Sequence, residues 1–185
     1  MNRRRALLAC ATAVPFARPA WAQGAAEEAV AERRVKAAYL FRFANYVEWP
    51  ESVLPRPDSP LVIAVWGHDE LAEDLGVLVA ARTVGERRVE VHRFKEGAAL
   101  SGIHILFAGR TRTARLAEVL GGPEPRPMLV VTESPGALRQ GSVINFLLED
   151  GQIRFEVSPE AAERRGLKLS SRLIAVSQNM AGRFR

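Results

Sequence analysis

Sulfur chemistry is almost missing from this 185-residue chain, which contains one cysteine, Cys10. Cys10 lies in an N-terminal segment that reads as removable, so the mature chain is expected to hold no thiol. That excludes disulfides, thiolate metal sites and a cysteine nucleophile. Histidine is scarce too: His68, His92 and His104 are the whole set. None has a second His or Cys at ligand spacing, so no metal site and no cofactor are expected. The sequence has no G-x-G-x-x-G, no P-loop and no G-x-S-x-G elbow. It has no internal repeat, and no apolar run beyond the N-terminal segment nears the roughly 18 residues of a membrane span. Direct membrane insertion is therefore not expected.

A surplus of one charge is also missing once the start is set aside. Overall, 26 Lys plus Arg stand against 21 Asp plus Glu, with a pI near 10.1. The first 22 residues hold Arg3, Arg4, Arg5 and Arg18 and no acid, which leaves 22 basic and 21 acidic residues. A nearly neutral domain carries no electrostatic footprint for a polyanion, so a nucleic-acid partner is excluded.

The start itself has the pattern of an export signal. Arg3-Arg4-Arg5 form a basic region, Ala6 to Phe16 an apolar one, and Ala20-Trp21-Ala22 an A-x-A cleavage site. Residues 1–22 are expected to be cleaved, leaving 23–185 as one domain outside the inner membrane. Arg4-Arg5-Ala6-Leu7-Leu8 loosely matches a twin-arginine signal, and the general secretory route remains equally open. Only four apolar residues separate Arg5 from Cys10, which argues against lipidation.

What the mature chain does contain is a change of rhythm. A helix is expected from about Glu28 to Trp49, with Val35, Tyr39, Leu40, Phe43, Tyr46 and Val47 in one buried stripe. Lys36 falls inside that stripe and is expected to snorkel or lie past the core's edge. Pro50, Pro55, Pro57 and Pro60 then impose an extended loop. Strands at 61–66, 103–108 and 128–132, interleaved with helices at about 70–81 and up to Leu120, predict parallel βα units. Residues 88–94 alternate as an edge-like strand. At the end, Asp150-Gly151 joins 142–149 to 152–157 as a type I′ hairpin. Its register sets Leu148 against Ile153, Phe146 against Phe155 and Ile144 against Val157. Ser158-Pro159-Glu160 opens a helix that Gly166 stops, and Ser170 caps a last helix reaching Met180. The expected fold is a single-domain α/β mixed sheet with parallel βα units, flanking helices and a C-terminal antiparallel hairpin.

Two groups of residues are candidates for function. If the strands ending at Trp66, Ala108 and Thr132 are parallel, the loops after them share one edge, where open α/β sheets bind ligands. Gly67, His68, Asp69, Gly109, Arg110, Thr111, Glu133 and Ser134 would line that crevice. His68, Asp69 and Glu133 have the residue types of an acid/base set. Each is equally what a βα turn or helix cap uses, and the balance favours no catalysis. The second group is the far side of the first helix: Phe41, Arg42, Asn45, Glu48 and Trp49. Two large aromatics there mark either a contact surface or a helix covered on both sides by its own chain.

The string Val35-Lys36-Ala37-Ala38-Tyr39-Leu40-Phe41 through Trp49-Pro50 resembles the opening signature of the YfiR/HmsC-like family of exported proteins. Ile63 to Gly67, Ile103 to Phe107, and the closing stretch from Ile153-Arg154-Phe155-Glu156-Val157 through Leu167 to Leu173 continue the resemblance, from roughly residue 33 to 180. The resemblance implies a periplasmic, non-enzymatic repressor of an inner-membrane diguanylate cyclase, whose release raises cyclic di-GMP and favours biofilm formation. It further implies a homodimer and sequestration by an outer-membrane lipoprotein of the peptidoglycan-associated type. Two departures stand out. Ser158 replaces a common Asn, which changes only a helix cap, and the mature chain lacks the cysteine pairs of some members. A small-molecule sensor using the strand-end crevice is the competing expectation.

Overall fold

The computed structural model describes residues 20–121 and 125–181. The expected export segment up to residue 19, Cys10 within it, and the Gly122-Pro123 break lie outside the described residues.

The first helix, α1, spans Ala20–Ala44. It stops five residues before the expected end because the chain beyond it finds a different partner. Val47–Glu48 (β1) pairs antiparallel with Lys168–Leu169 (β9), and Ser170 N donates to the Tyr46 carbonyl at 2.9 Å. Backbone pairing thus takes up groups that a longer helix would have used. Val35, expected inside the buried stripe, is 42% exposed, whereas Ala37, Leu40, Phe43 and Ala44 are buried.

Between those two strands the chain builds a seven-stranded sheet. Its strands are β2 (Leu61–Trp66), β3 (Thr83–Val84), β4 (Arg87–Arg93), β5 (Ile105–Ala108), β6 (Leu129–Thr132), β7 (Ile144–Glu149) and β8 (Gln152–Val157). Their order is β3-β4-β2-β5-β6-β7-β8. β4, β2, β5, β6 and β7 are parallel, and β3 and β8 close the two ends antiparallel. β4 therefore gains an outer neighbour that its edge-like alternation did not announce. Every residue of β2, β5 and β6 is buried, as a sheet covered on both faces requires.

Alternation along each strand sorts the core into two layers. On one face Leu61, Ile63, Val65, Ile105, Phe107, Val131 and Ile144 meet α1, α2 (Asp69–Val79), α4 (Pro159–Arg164) and α5 (Ser171–Ala181). An aromatic cluster anchors this layer: Phe43 lies 5.1 Å from Phe155 and 5.7 Å from Phe146, and Tyr39 lies 5.4 Å from Phe155. On the other face Ala64, Trp66, Leu106, Ala108 and Val130 meet Phe94, Met128 and Leu116. The covering helix there is short. A 3₁₀ turn, Thr113–Arg115, leads into α3, Leu116–Leu120.

The hairpin has the expected register, with Leu148 opposite Ile153, Phe146 opposite Phe155 and Ile144 opposite Val157. Asp150 (φ 50°) and Gly151 (φ 72°) both take positive φ, the conformation a type I′ turn demands. Ser158 caps α4 by accepting from Ala161 N at 3.2 Å, and Ser170 Oγ accepts from Leu173 N at 3.3 Å at the start of α5.

Candidate functional site

The order β4-β2-β5-β6-β7 places a topological switch point between β2 and β5. The chain leaves β2 toward β4 and returns on β2's other side as β5. Ligand sites in such sheets lie beyond the C-terminal strand ends at that position. Here the chain fills the spot itself. Gly67 (φ 76°) lies so close to Arg112 that a Cβ would stand 2.5 Å from Arg112 Cγ. The Arg112 guanidinium extends over the Trp66 ring, 6.0 Å from its centroid. Gly109 N donates to Trp66 O at 2.8 Å, and a Cβ on Gly109 would press on the Gly67 carbonyl at 3.0 Å. The two glycines serve close packing of one loop on the other.

One strand further along, the edge opens. Glu133 follows β6 directly and its side chain is 9% exposed. One carboxylate oxygen accepts from Arg110 N at 3.0 Å, and the other pairs with Lys36 Nζ. Lys36 also pairs with Glu32 one turn back on α1. Lys36 is only 3% exposed. It is buried rather than snorkelling because Glu133 meets its charge at the sheet edge, and a buried ammonium requires such a partner. The ion pair ties α1 to the loops after β5 and β6. Beside it lies a cleft of about 560 Å³ whose lining includes Phe146, Leu148, Ile153, Arg110 and Glu149.

Of the crevice residues, the structure thus brings Arg110 and Glu133 together. Ser134 joins a second network: its N–H donates to Asn145 Oδ1 at 3.0 Å and its hydroxyl to Thr113 Oγ1 at 2.9 Å. Asn145 is fully buried, accepts from Thr132 Oγ1 at 2.8 Å and donates to Glu156 at 2.8 Å. His68, half-buried, sits at the start of α2 with its ring 6.4 Å from Phe107. Asp69 and Thr111 are exposed. Among the described residues no hydrogen bond or ion pair joins His68 or Asp69 to Glu133. The three do not form an acid/base set, and Glu133 is already committed to a cation and an amide. Lys36, which the sequence placed in the apolar stripe without a partner, belongs to this site, as does Glu32, which the sequence reading did not single out. The signal for the Lys36–Glu133 pairing was a lone cation inside an apolar helix stripe and a carboxylate ending an apolar strand.

The five residues expected on the far side of the first helix do not share one helix face: Phe41 and Arg42 are on α1, whereas Asn45, Glu48 and Trp49 lie past its end at Ala44. Arg42, Asn45 and Glu48 are exposed, and Phe41 and Trp49 are half-buried against the main core. Arg82 lies over the Phe41 ring at 5.8 Å. Trp49 meets His104 edge-on at 5.8 Å. His104, buried just ahead of β5, accepts from Val62 N at Nδ1 (3.0 Å) and donates from Nε2 to the Val53 carbonyl (3.2 Å). Those two bonds define a neutral imidazole that pins the proline-rich loop to β2. Burial holds its pKa below the usual 6.5, with Arg87 adding to the effect and the Val53 hydrogen bond opposing it.

No group of three or more metal-ligating side chains occurs among the described residues, and no described helix is long and apolar enough to cross a membrane. The geometry is that of an α/β module in which Glu133 and Ser134 at the strand-end edge are engaged in holding its own loops. The chain belongs to the YfiR/HmsC-like family, whose model matches residues 33–178. That family is periplasmic and regulatory, and its regulatory theme is diguanylate cyclase control. A search of curated proteins gave no match.

Proposed function

We propose that the mature chain, residues 23–185, is a periplasmic non-enzymatic repressor that binds the periplasmic part of an inner-membrane diguanylate cyclase and keeps it inactive. Membership of the YfiR/HmsC-like family over residues 33–178 is the observation that carries this reading. The chemistry of the sheet edge supports it, since Glu133, Lys36 and Ser134 are engaged within the chain. Repression needs only preferential binding to the inactive cyclase, and that preference sets how far the equilibrium moves. Phe41, Arg42, Asn45, Glu48 and Trp49 are the proposed partner or dimer contacts. Loss of repression would raise cyclic di-GMP and biofilm formation, and a peptidoglycan-associated-type lipoprotein would relieve it by sequestration.

The test is binding of the purified protein to the isolated periplasmic domain of the cyclase, followed by calorimetry. Saturable binding that weakens when Arg42 and Glu48 are both changed to Ala supports the assignment. No binding at any accessible concentration overturns it. The cleft beside Lys36 and Glu133 favours a second reading, a small-molecule sensor. It predicts ligand-induced thermal shifts that disappear in Arg110→Ala and Glu133→Gln variants.

A further inference from the structure

Of the three histidines only His104 is buried, at 5% exposure, and three parts of the chain meet at its ring. Nδ1 receives the N–H of Val62 on β2, and Nε2 reaches the Val53 carbonyl in the proline-rich loop. Trp49, where that loop begins, stands edge-on to the imidazole. The loop has a second anchor that does not titrate in the physiological range. Arg87 on β4 donates to the carbonyls of Arg56, of Ser59 at 3.1 Å and of Leu54 at 3.5 Å. On the other side the chain is fixed where Val47 and Glu48 pair with β9. The segment from Trp49 to Val53 thus runs between two pH-independent anchors. Among the described residues, its hydrogen bond to the strands goes through one imidazole.

The neutral ring fits this place and the protonated ring does not. A proton on Nδ1 sets two N–H groups against each other at 3.0 Å and deprives Val62 N of its acceptor. It also places a charge where water is excluded. The bond from Nε2 to Val53 favours the charged ring, but burial is the larger effect and Arg87 adds to it. No carboxylate reverses the balance. β2, β5 and β6 carry no ionisable side chain, and Glu48, Glu51, Arg56 and Asp58 are exposed. The closed segment carries a cost of its own as well. Trp49 Nε1 is buried and has no hydrogen-bond partner among the described residues. Lifting the segment exposes both the imidazolium and the indole N–H to water.

We infer that His104 is an acid-operated latch, whose protonation frees the segment from Trp49 to Val53 while Arg87 keeps the rest of the loop in place. Trp49 is among the proposed partner contacts, so the latch regulates that surface; in this respect alone the inference rests on the proposed function. With the ring exposed, His104 titrates near its ordinary 6.5; closed, it titrates lower. Closure therefore weakens as pH falls below 6.5, by up to about tenfold per pH unit, until the closed-state pKa is passed. The test uses the processed protein without cyclase, so failure to bind cyclase and failure of the latch are separate results.

Trp21 falls in the expected export segment, which leaves Trp49 and Trp66 as the tryptophans of the processed chain. In a Trp66→Phe variant, acrylamide quenching then reports Trp49 alone. Quenching should rise by about twofold or more between pH 7.5 and pH 5, reversibly and with unchanged far-ultraviolet circular dichroism. Adding His104→Gln, whose amide does not titrate, should make quenching the same at both pH values. Nitrogen-labelled wild type provides a readout that needs no variant. His104 should be the Nε2–H tautomer at pH 7.5 and titrate below 6.5, and the Trp49 indole and Val62 amide signals should move with the same midpoint. Trp49 quenching that stays constant while His104 protonates would overturn the inference. So would an equal rise in the His104→Gln background, Trp49 and Val62 signals that ignore the His104 midpoint, or a rise that comes only with global unfolding.

Discussion

The two halves of α1 behave as different molecules. Its C-terminal half carries Leu40 and Phe43 into an aromatic cluster with Phe146 and Phe155 and is fixed by its own chain. Its N-terminal half carries alanines, Val30 and unpaired charges of both signs along an open face. Lys36 marks the boundary, since beyond it the helix leaves the sheet edge that Glu133 anchors. The lesson is that one helix serves two purposes: half of it completes a core and half is left for a surface. Substitutions of core-facing residues in the C-terminal half should therefore cost stability, and substitutions on the open face of the N-terminal half should cost little.

The largest expected effect is Phe43→Ala, which removes a fully buried ring from the cluster. Urea unfolding should show a loss of about 3–5 kcal/mol. Next is Glu133→Ala, which leaves Lys36 buried with only the partly exposed Glu32 beside it. A loss of about 3 kcal/mol is expected by the same measurement. Replacing both partners by apolar residues, Lys36→Met with Glu133→Leu, should recover most of it. A third effect concerns pH. His104 is held neutral in the folded chain, and its folded pKa lies below the 6.5 of the unfolded chain. Its contribution to stability is complete above pH 6.5 and declines as pH falls from there through the folded value. Thermal melts of wild type and His104→Gln should converge as pH drops from 7.5 to 5. At the small end, Arg34→Ala should change unfolding stability of the monomer by less than about 0.5 kcal/mol. A large change there would erase the distinction between the two halves.

How far the sequence revealed this arrangement depended on how local the determining interaction was. The hairpin register was fully readable because Asp150-Gly151 and the alternation on either side of it act within a dozen residues. The parallel strands were readable from apolar runs bounded by turn residues. The end of α1 was not, because Val47 and Glu48 are drawn into a sheet by Lys168 and Leu169, far along the chain. The environment of Lys36 was not readable either: nothing local says that a carboxylate after β6 will meet it. The filled switch point depends on Arg112 folding back over Gly67 and Trp66, a tertiary contact with no periodic signature. Arg110 and Glu133 were correctly assigned to one edge, since topology alone brings strand ends together. His68 was assigned there too, but its ring turns toward Phe107 and makes no bond to Glu133.

The most direct test of the account adds increasing amounts of the purified protein to full-length cyclase in lipid vesicles and follows cyclic di-GMP formed from GTP. Turnover should fall in a saturable way to a low plateau, and the added protein should consume no substrate of its own. Turnover that stays constant across the titration would contradict the assignment.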